Sequence, residues 1–121
     1  MSRSQNQQAI QLLMTNPLPS VDAALKLLCD RWGGTLASET RFQIETRLEQ
    51  DLVEYSCYPD VVEFFRILEQ RGHRSALISN LSSPYIRAIE KLGLHQLVDR
   101  VFYSCDVGAI KPDPAIFEYA L

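Results

Sequence analysis

Apolar residues recur at helical spacing through the first half of the chain and gather into short continuous runs in the second, and the change falls near residue 56. Val21, Ala24, Leu25 and Leu28, with Trp32 one turn further, predict a helix that Ser20 caps and Gly33-Gly34 ends. Ile44, Leu48, Leu52 and Tyr55 predict a second, from about Glu39 to Tyr55, capped by Ser38. Glu45, Arg47, Glu49 and Asp51 lie mostly on its other face, the usual pattern of a solvated surface. Ahead of both, Ala9 to Met14 suffice for a short helix that ends before Pro17, while the polar residues 1–8 are expected to be frayed. Residues 1–55 therefore read as an all-helical piece.

Beyond Pro59 the periods alternate. Val61, Phe64, Phe65 and Leu68 fall at i, i+3, i+4 and i+7, predicting an amphipathic helix that Pro59-Asp60 opens and Gly72 closes. Ala76-Leu77-Ile78 follows as a continuous apolar run, the pattern of a parallel strand covered on both faces, and it ends in Ser79 and Asn80. Ser83 and Pro84 are suited to cap and start the next helix, which buries Ile86 and Ile89 and stops at Gly93. Val101-Phe102-Tyr103, ending in Ser104, reads as a second strand, and Asp113 as the N-cap of a last helix. Helix alternating with strand implies an α/β fold with a parallel sheet and right-handed crossovers. In such sheets ligands bind in the crevice beyond the carboxyl ends of the strands, where Ser79 and Asn80 stand.

Composition narrows the partners more than the fold. The 121 residues carry a formal net charge of −3, which gives no electrostatic reason to expect nucleic acid or an anionic membrane. Cys29, Cys57 and Cys105 are odd in number, widely spaced and in no CxxC pair, so reduced thiols in a cytoplasmic protein are expected rather than a disulfide framework or a zinc site. No apolar run approaches the ~20 residues of a membrane span, and MSRSQNQQ has no signal-peptide core.

Few residues are left to do chemistry. The Ser79 hydroxyl can donate to a substrate oxygen and the Asn80 amide can orient a group, or both can simply satisfy backbone groups at a strand end. Lys111, within GAIKPDP, lies between a glycine and a rigid proline after the second strand, placed either to reach the crevice at Ser79 or to stand in solvent as a loop lysine. Asp106 is expected to pair with it on the surface. His73 and His95 lie on turns without a partner, and Ser79 has neither a GxSxG elbow nor a placed histidine base, which disfavours serine-hydrolase chemistry.

In combination these pieces say more. A strand ending in Ser-Asn, a helix, a strand ending in Ser, and then G-x-x-K-P-D-P-x-x-F with Lys111 placed 32 positions after Ser79 closely resemble the haloacid dehalogenase (HAD) superfamily of hydrolases. The nearest likeness is to the capped branch that holds phosphatases and haloacid dehalogenases. LISNLSS resembles the second motif of that family and SCDVGAIKPDPAIFEYAL its third. The resemblance implies a Rossmann-like, three-layer α/β core over residues 56–121, partial, preceded by a partial helical cap over residues 1–55. It further implies that Ser79 hydrogen-bonds the phosphoryl or carboxylate oxygens of a small anionic substrate, that Asn80 helps to position that substrate, and that Lys111 balances the charge around the nucleophile.

The departures shape the remaining expectations. The nucleophile of the family is the first aspartate of a DxDx(T/V) motif, and no such motif occurs in the 121 residues. Its fourth, acidic motif would fall beyond Leu121. Magnesium is expected for a full-length phosphatase relative and no cofactor for this chain alone, because hydroxyl, amide and ammonium groups are poor ligands for a hard cation. Covalent carboxylate catalysis needs its attacking group, so a fragment inactive as it stands is expected. The alternative is a non-catalytic anion-binding or assembly module that completes its sheet with another chain. Without the strand of the nucleophile, residues 74–79 would present an apolar edge, and self-association through it is expected.

Overall fold

A computed structural model describes residues 2–121. The first three helices are α1 (Arg3–Met14), α2 (Val21–Trp32) and α3 (Ser38–Glu54). Helix α1 starts well before the expected Ala9, because Ser2 and Gln5 form a reciprocal capping box. The Ser2 Oγ accepts from the Gln5 N–H at 3.2 Å and the Gln5 Oε1 from the Ser2 N–H at 2.7 Å. Residues 3–8 are thus helical, and Met1 lies outside the described residues. Ser20 caps α2 as expected, its Oγ accepting from the Ala23 N–H at 3.1 Å. Gly33 ends it at φ +79°, a backbone conformation that costs glycine little. Ser38, the expected cap of α3, is instead its first helical residue: Ala37 holds the cap position in extended backbone, with no side-chain bond to the helix.

The chain then runs through α4 (Val61–Gln70), β1 (Ala76–Ser79), α5 (Ile86–Lys91), β2 (Arg100–Tyr103), α6 (Ser104–Val107) and α7 (Pro114–Ala120). The two strands are parallel neighbours, with Ala76 opposite Arg100 and Ser79 opposite Tyr103. The strand expected to include Ser104 ends one residue sooner, and Ser104 opens α6. Ser83 does not cap a helix either. It begins a 3-10 turn over Ser83–Tyr85, and its Oγ accepts instead from the Leu18 N–H at 2.8 Å, tying the loop after α1 to the end of the β1 connection.

The main buried cluster joins the two halves of the chain. Leu48 and Leu52 of α3 meet Ala88 of α5, with Val21 and Tyr85 packed against them. Each of the two leucines contributes on the order of 2 kcal/mol by leaving water. Around this cluster the Tyr85 hydroxyl donates to the Asp51 carboxylate at 3.1 Å, and Arg87 binds both oxygens of Glu49 at 2.8 and 3.0 Å. Helix α4 differs. Its apolar stripe is the clearest in the sequence, yet none of its residues is buried, and Phe64 and Val62 stay more than half exposed. A two-stranded sheet is too narrow to cover such a stripe.

Candidate active site

Strand β1 delivers Ser79 as its last residue, half-buried, and the chain leaves the sheet at Asn80. Across from it, the loop that carries Lys111 is fixed at both ends. At its start Gly108 adopts φ +80° and its N–H donates to the Ser104 carbonyl at 2.8 Å. At its finish Asp113 caps α7, its Oδ1 accepting from the Ala115 N–H at 2.9 Å, with Pro114 at the first helical position and Ile116 fully buried as the anchor. Between these points the Asp113 N–H donates to the Ile110 carbonyl at 2.9 Å, closing a tight turn around Lys111.

That turn is bound to the end of β1 by three hydrogen bonds. The Lys111 N–H donates to the Asn80 Oδ1 at 2.7 Å, the Asn80 Nδ2 donates to the Lys111 carbonyl at 3.0 Å, and the Lys111 ammonium donates to the Ile78 carbonyl at 2.7 Å. The ammonium thus rests on the peptide group that joins Ile78 to Ser79. Asn80 and Lys111 are brought together, and Ser79 lies between the two residues at the end of β1 that Lys111 contacts. Asp106 does not pair with Lys111. Its carboxylate lies beside the Cys105 thiol, at 4.0 Å, while the lysine reaches the opposite way to β1.

Ser104 is the residue of this region that the sequence did not single out for a role. Fully buried, its Oγ accepts from the Leu81 N–H at 3.0 Å and donates to the Leu81 carbonyl at 3.2 Å, so it fixes the turn that follows Ser79 and Asn80. A serine where a neighbouring parallel strand ends was the available signal, since a hydroxyl can serve both groups of one residue.

The other reactive side chains near the strand ends are quiet. Burial pushes the Cys105 thiol above its ordinary pKa, which keeps it protonated and poorly nucleophilic. Burial, together with the nearby Glu90 carboxylate, likewise raises the Tyr103 phenol. His73 and His95 are exposed on turns. What the strand end offers is therefore one ammonium and one hydroxyl, both hydrogen-bond donors.

A model of the haloacid dehalogenase-like hydrolases matches residues 7–121. The chain belongs to that family. Among relatives of this HAD-like chain is an (S)-2-haloacid dehalogenase of Burkholderia cepacia, 34% identical over 86 residues, which are 68% of this chain and 36% of that protein. An uncharacterised hydrolase of Schizosaccharomyces pombe is 34% identical over 68 residues, 55% of this chain and 30% of its own length. An uncharacterised protein of Saccharomyces cerevisiae is 31% identical over 70 residues, 55% of this chain and 23% of its own. The chain thus spans about a third or less of the length of the curated relatives it matches.

HAD-like hydrolases generally use magnesium. The groups around Lys111 do not fit that ion by themselves. An ammonium repels a cation, and the Asn80 oxygen already accepts from the Lys111 N–H. No cluster of three acidic, histidine or cysteine side chains stands ready among the described residues.

Proposed function

We propose that this chain carries the anion-orienting part of a HAD-type hydrolase site, acting on a small phosphorylated or carboxylated metabolite in the manner of a phosphatase or a haloacid dehalogenase. Ser79 donates its hydroxyl to an oxygen of the substrate, Asn80 supports that arrangement, and Lys111 supplies the opposing charge. The observation that carries this reading is the return of the Lys111 ammonium to the Ile78–Ser79 peptide, 2.7 Å from the Ile78 carbonyl. An ammonium held at the end of the strand that carries the Ser79 hydroxyl suits a phosphoryl or carboxylate group, and a charged hydrogen bond is roughly twice as strong as a neutral one. The attacking carboxylate has no DxDx(T/V) counterpart in the sequence and comes from outside these 121 residues. On this reading residues 1–55 form part of a helical cap and residues 56–121 part of the core.

The test is a titration of the purified chain with inorganic phosphate and with chloroacetate, followed by amide NMR. Shifts should centre on Ser79, Asn80, Leu81 and Lys111, and Lys111→Ala should weaken binding about tenfold, the worth of one charged hydrogen bond. Affinities indifferent to both Ser79→Ala and Lys111→Ala would remove the proposal. General phosphatase substrates should not turn over, with or without magnesium, and turnover that survives rigorous purification would place the nucleophile within this chain.

A second reading, an assembly module that completes its sheet with another chain, is favoured by the uncovered apolar residues of α4, where Val62 is 54% and Phe64 55% exposed.

A further inference from the structure

We infer that Asn80 is a positioning residue: its side-chain amide holds Lys111 in place and does not contact the bound anion. The inference rests on the proposed function and assigns one member of that site a different task. A carboxamide has one oxygen and one nitrogen to present, and here both face the same residue. The oxygen takes the Lys111 N–H at 2.7 Å and the nitrogen gives to the Lys111 carbonyl at 3.0 Å. The reverse placement of the amide would set oxygen against oxygen and N–H against N–H, so only this one is consistent with both contacts. The amide treats Lys111 as a neighbouring strand would, pairing its donor and acceptor together across 31 positions of sequence.

The support under Asn80 is equally specific. The next residue, Leu81, has both its N–H and its carbonyl bound to the buried hydroxyl of Ser104, so the amide acts from a fixed base. Lys111 needs such help. It is exposed, and an ammonium on a four-carbon stem occupies a single position only where its backbone is held. With Asn80 in place the ammonium rests on the Ile78 carbonyl, and without it the loop would keep its own internal turn but lose two of its three hydrogen bonds to the end of β1.

The first measurement needs no variant. In the native chain the Lys111 N–H, although in an exposed loop, should exchange with solvent more slowly than an unprotected amide, and exchange at the unprotected rate overturns the inference. The second uses the three lysines of the chain, Lys26, Lys91 and Lys111. Reductive methylation read by mass spectrometry should modify Lys111 about fivefold more slowly than the exposed Lys91, and Asn80→Ala should remove that difference. Labelling of Lys111 unchanged by Asn80→Ala refutes the clamp. The third is a cycle of variants titrated with inorganic phosphate. If Asn80 acts through the lysine, Asn80→Ala lowers affinity several-fold in the native background and less than twofold in the Lys111→Ala background. Equal losses in both backgrounds mean that Asn80 touches the anion itself, which overturns the inference. Phosphate affinity indifferent to Lys111→Ala, with Lys111 still released to methylation by Asn80→Ala, refutes the proposed function and leaves the clamp standing.

Discussion

Among the described residues Ser104 is the buried polar side chain, and removing its hydroxyl tests how the strand ends are held. Ser104→Ala leaves the Leu81 N–H and carbonyl without the partner that served both, at 3.0 and 3.2 Å. A buried group stripped of its partner costs about 1–3 kcal/mol. Alanine recovers at most about 0.5 kcal/mol through its better helix propensity at the start of α6. The expected net loss is therefore about 2 kcal/mol, a large share of the roughly 5–15 kcal/mol that holds a domain of this kind together. In a chain of this size that lowers the thermal midpoint by about 6–10 °C.

Thermal unfolding followed by circular dichroism measures the loss, and hydrogen exchange of the Leu81 amide locates it. Ser82→Ala is the control, because that side chain makes no hydrogen bond among the described residues and its loss should cost less than about 0.5 kcal/mol. A Ser104→Ala midpoint within about 1 °C of the native one, with Leu81 exchange unchanged, would refute the reasoning. The two contacts would then be incidental to the fold.

Two further outcomes follow from the surface of the molecule. The hydrogen bonds from Arg87 hold the Glu49 carboxyl below its ordinary range. The stability this pair contributes is therefore present above the unfolded glutamate value and is lost as pH falls through the depressed folded one. The midpoint difference between native chain and Glu49→Gln should stay constant near neutrality and close in acid; a difference that instead closes toward alkaline pH would mean that Glu49 is not the titrating group. Size-exclusion chromatography should show self-association through the α4 stripe and the edge of β1, and Phe64→Lys with Val62→Lys should dissolve it. A native chain that elutes as a compact monomer at every concentration rules that surface out as an interface.

Much of this fold could be read from spacing alone, and the misses have physical causes of two kinds. Strands β1 and β2, the Ser20 and Asp113 caps and the glycine after α2 follow from local pattern, because each depends on a few neighbouring residues, and the parallel pairing follows from the helix that separates the two strands. Ser83 was misread for the opposite reason. A serine or aspartate before a helix carries the same local signal whether its side chain caps that helix or reaches a residue far away in sequence, as Ser83 does to Leu18. The capping box of α1 is a different failure: Ser2 and Gln5 announce it, but the low hydrophobicity of residues 3–8 outweighed it. At the site, the approach of Lys111 to the end of β1 was legible through the spacing of two motifs. The use of the Asn80 amide was not, since nothing in a dipeptide says which partner an amide will find.

The resting position of Lys111 bears on how an anion would enter the site. Its ammonium donates to a neutral carbonyl, and no carboxylate stands within ion-pair distance of it among the described residues, so its charge is held in place without being neutralised. Under the proposed function a phosphoryl or carboxylate oxygen, itself charged, would make a stronger bond to the ammonium than the neutral carbonyl does, and the exposed Ile78 contact would give way to it at small cost because water can take over the released carbonyl. Had Asp106 paired with the lysine, an incoming anion would first have had to displace a like charge. The bonds that Asn80 makes to the backbone of Lys111 do not depend on what the ammonium binds, so the side chain can exchange partners while its loop stays fixed. Under the proposed function that separation would let a long, flexible side chain serve as a preorganised charge: the part that must stay rigid and the part that must change partner are held by different bonds.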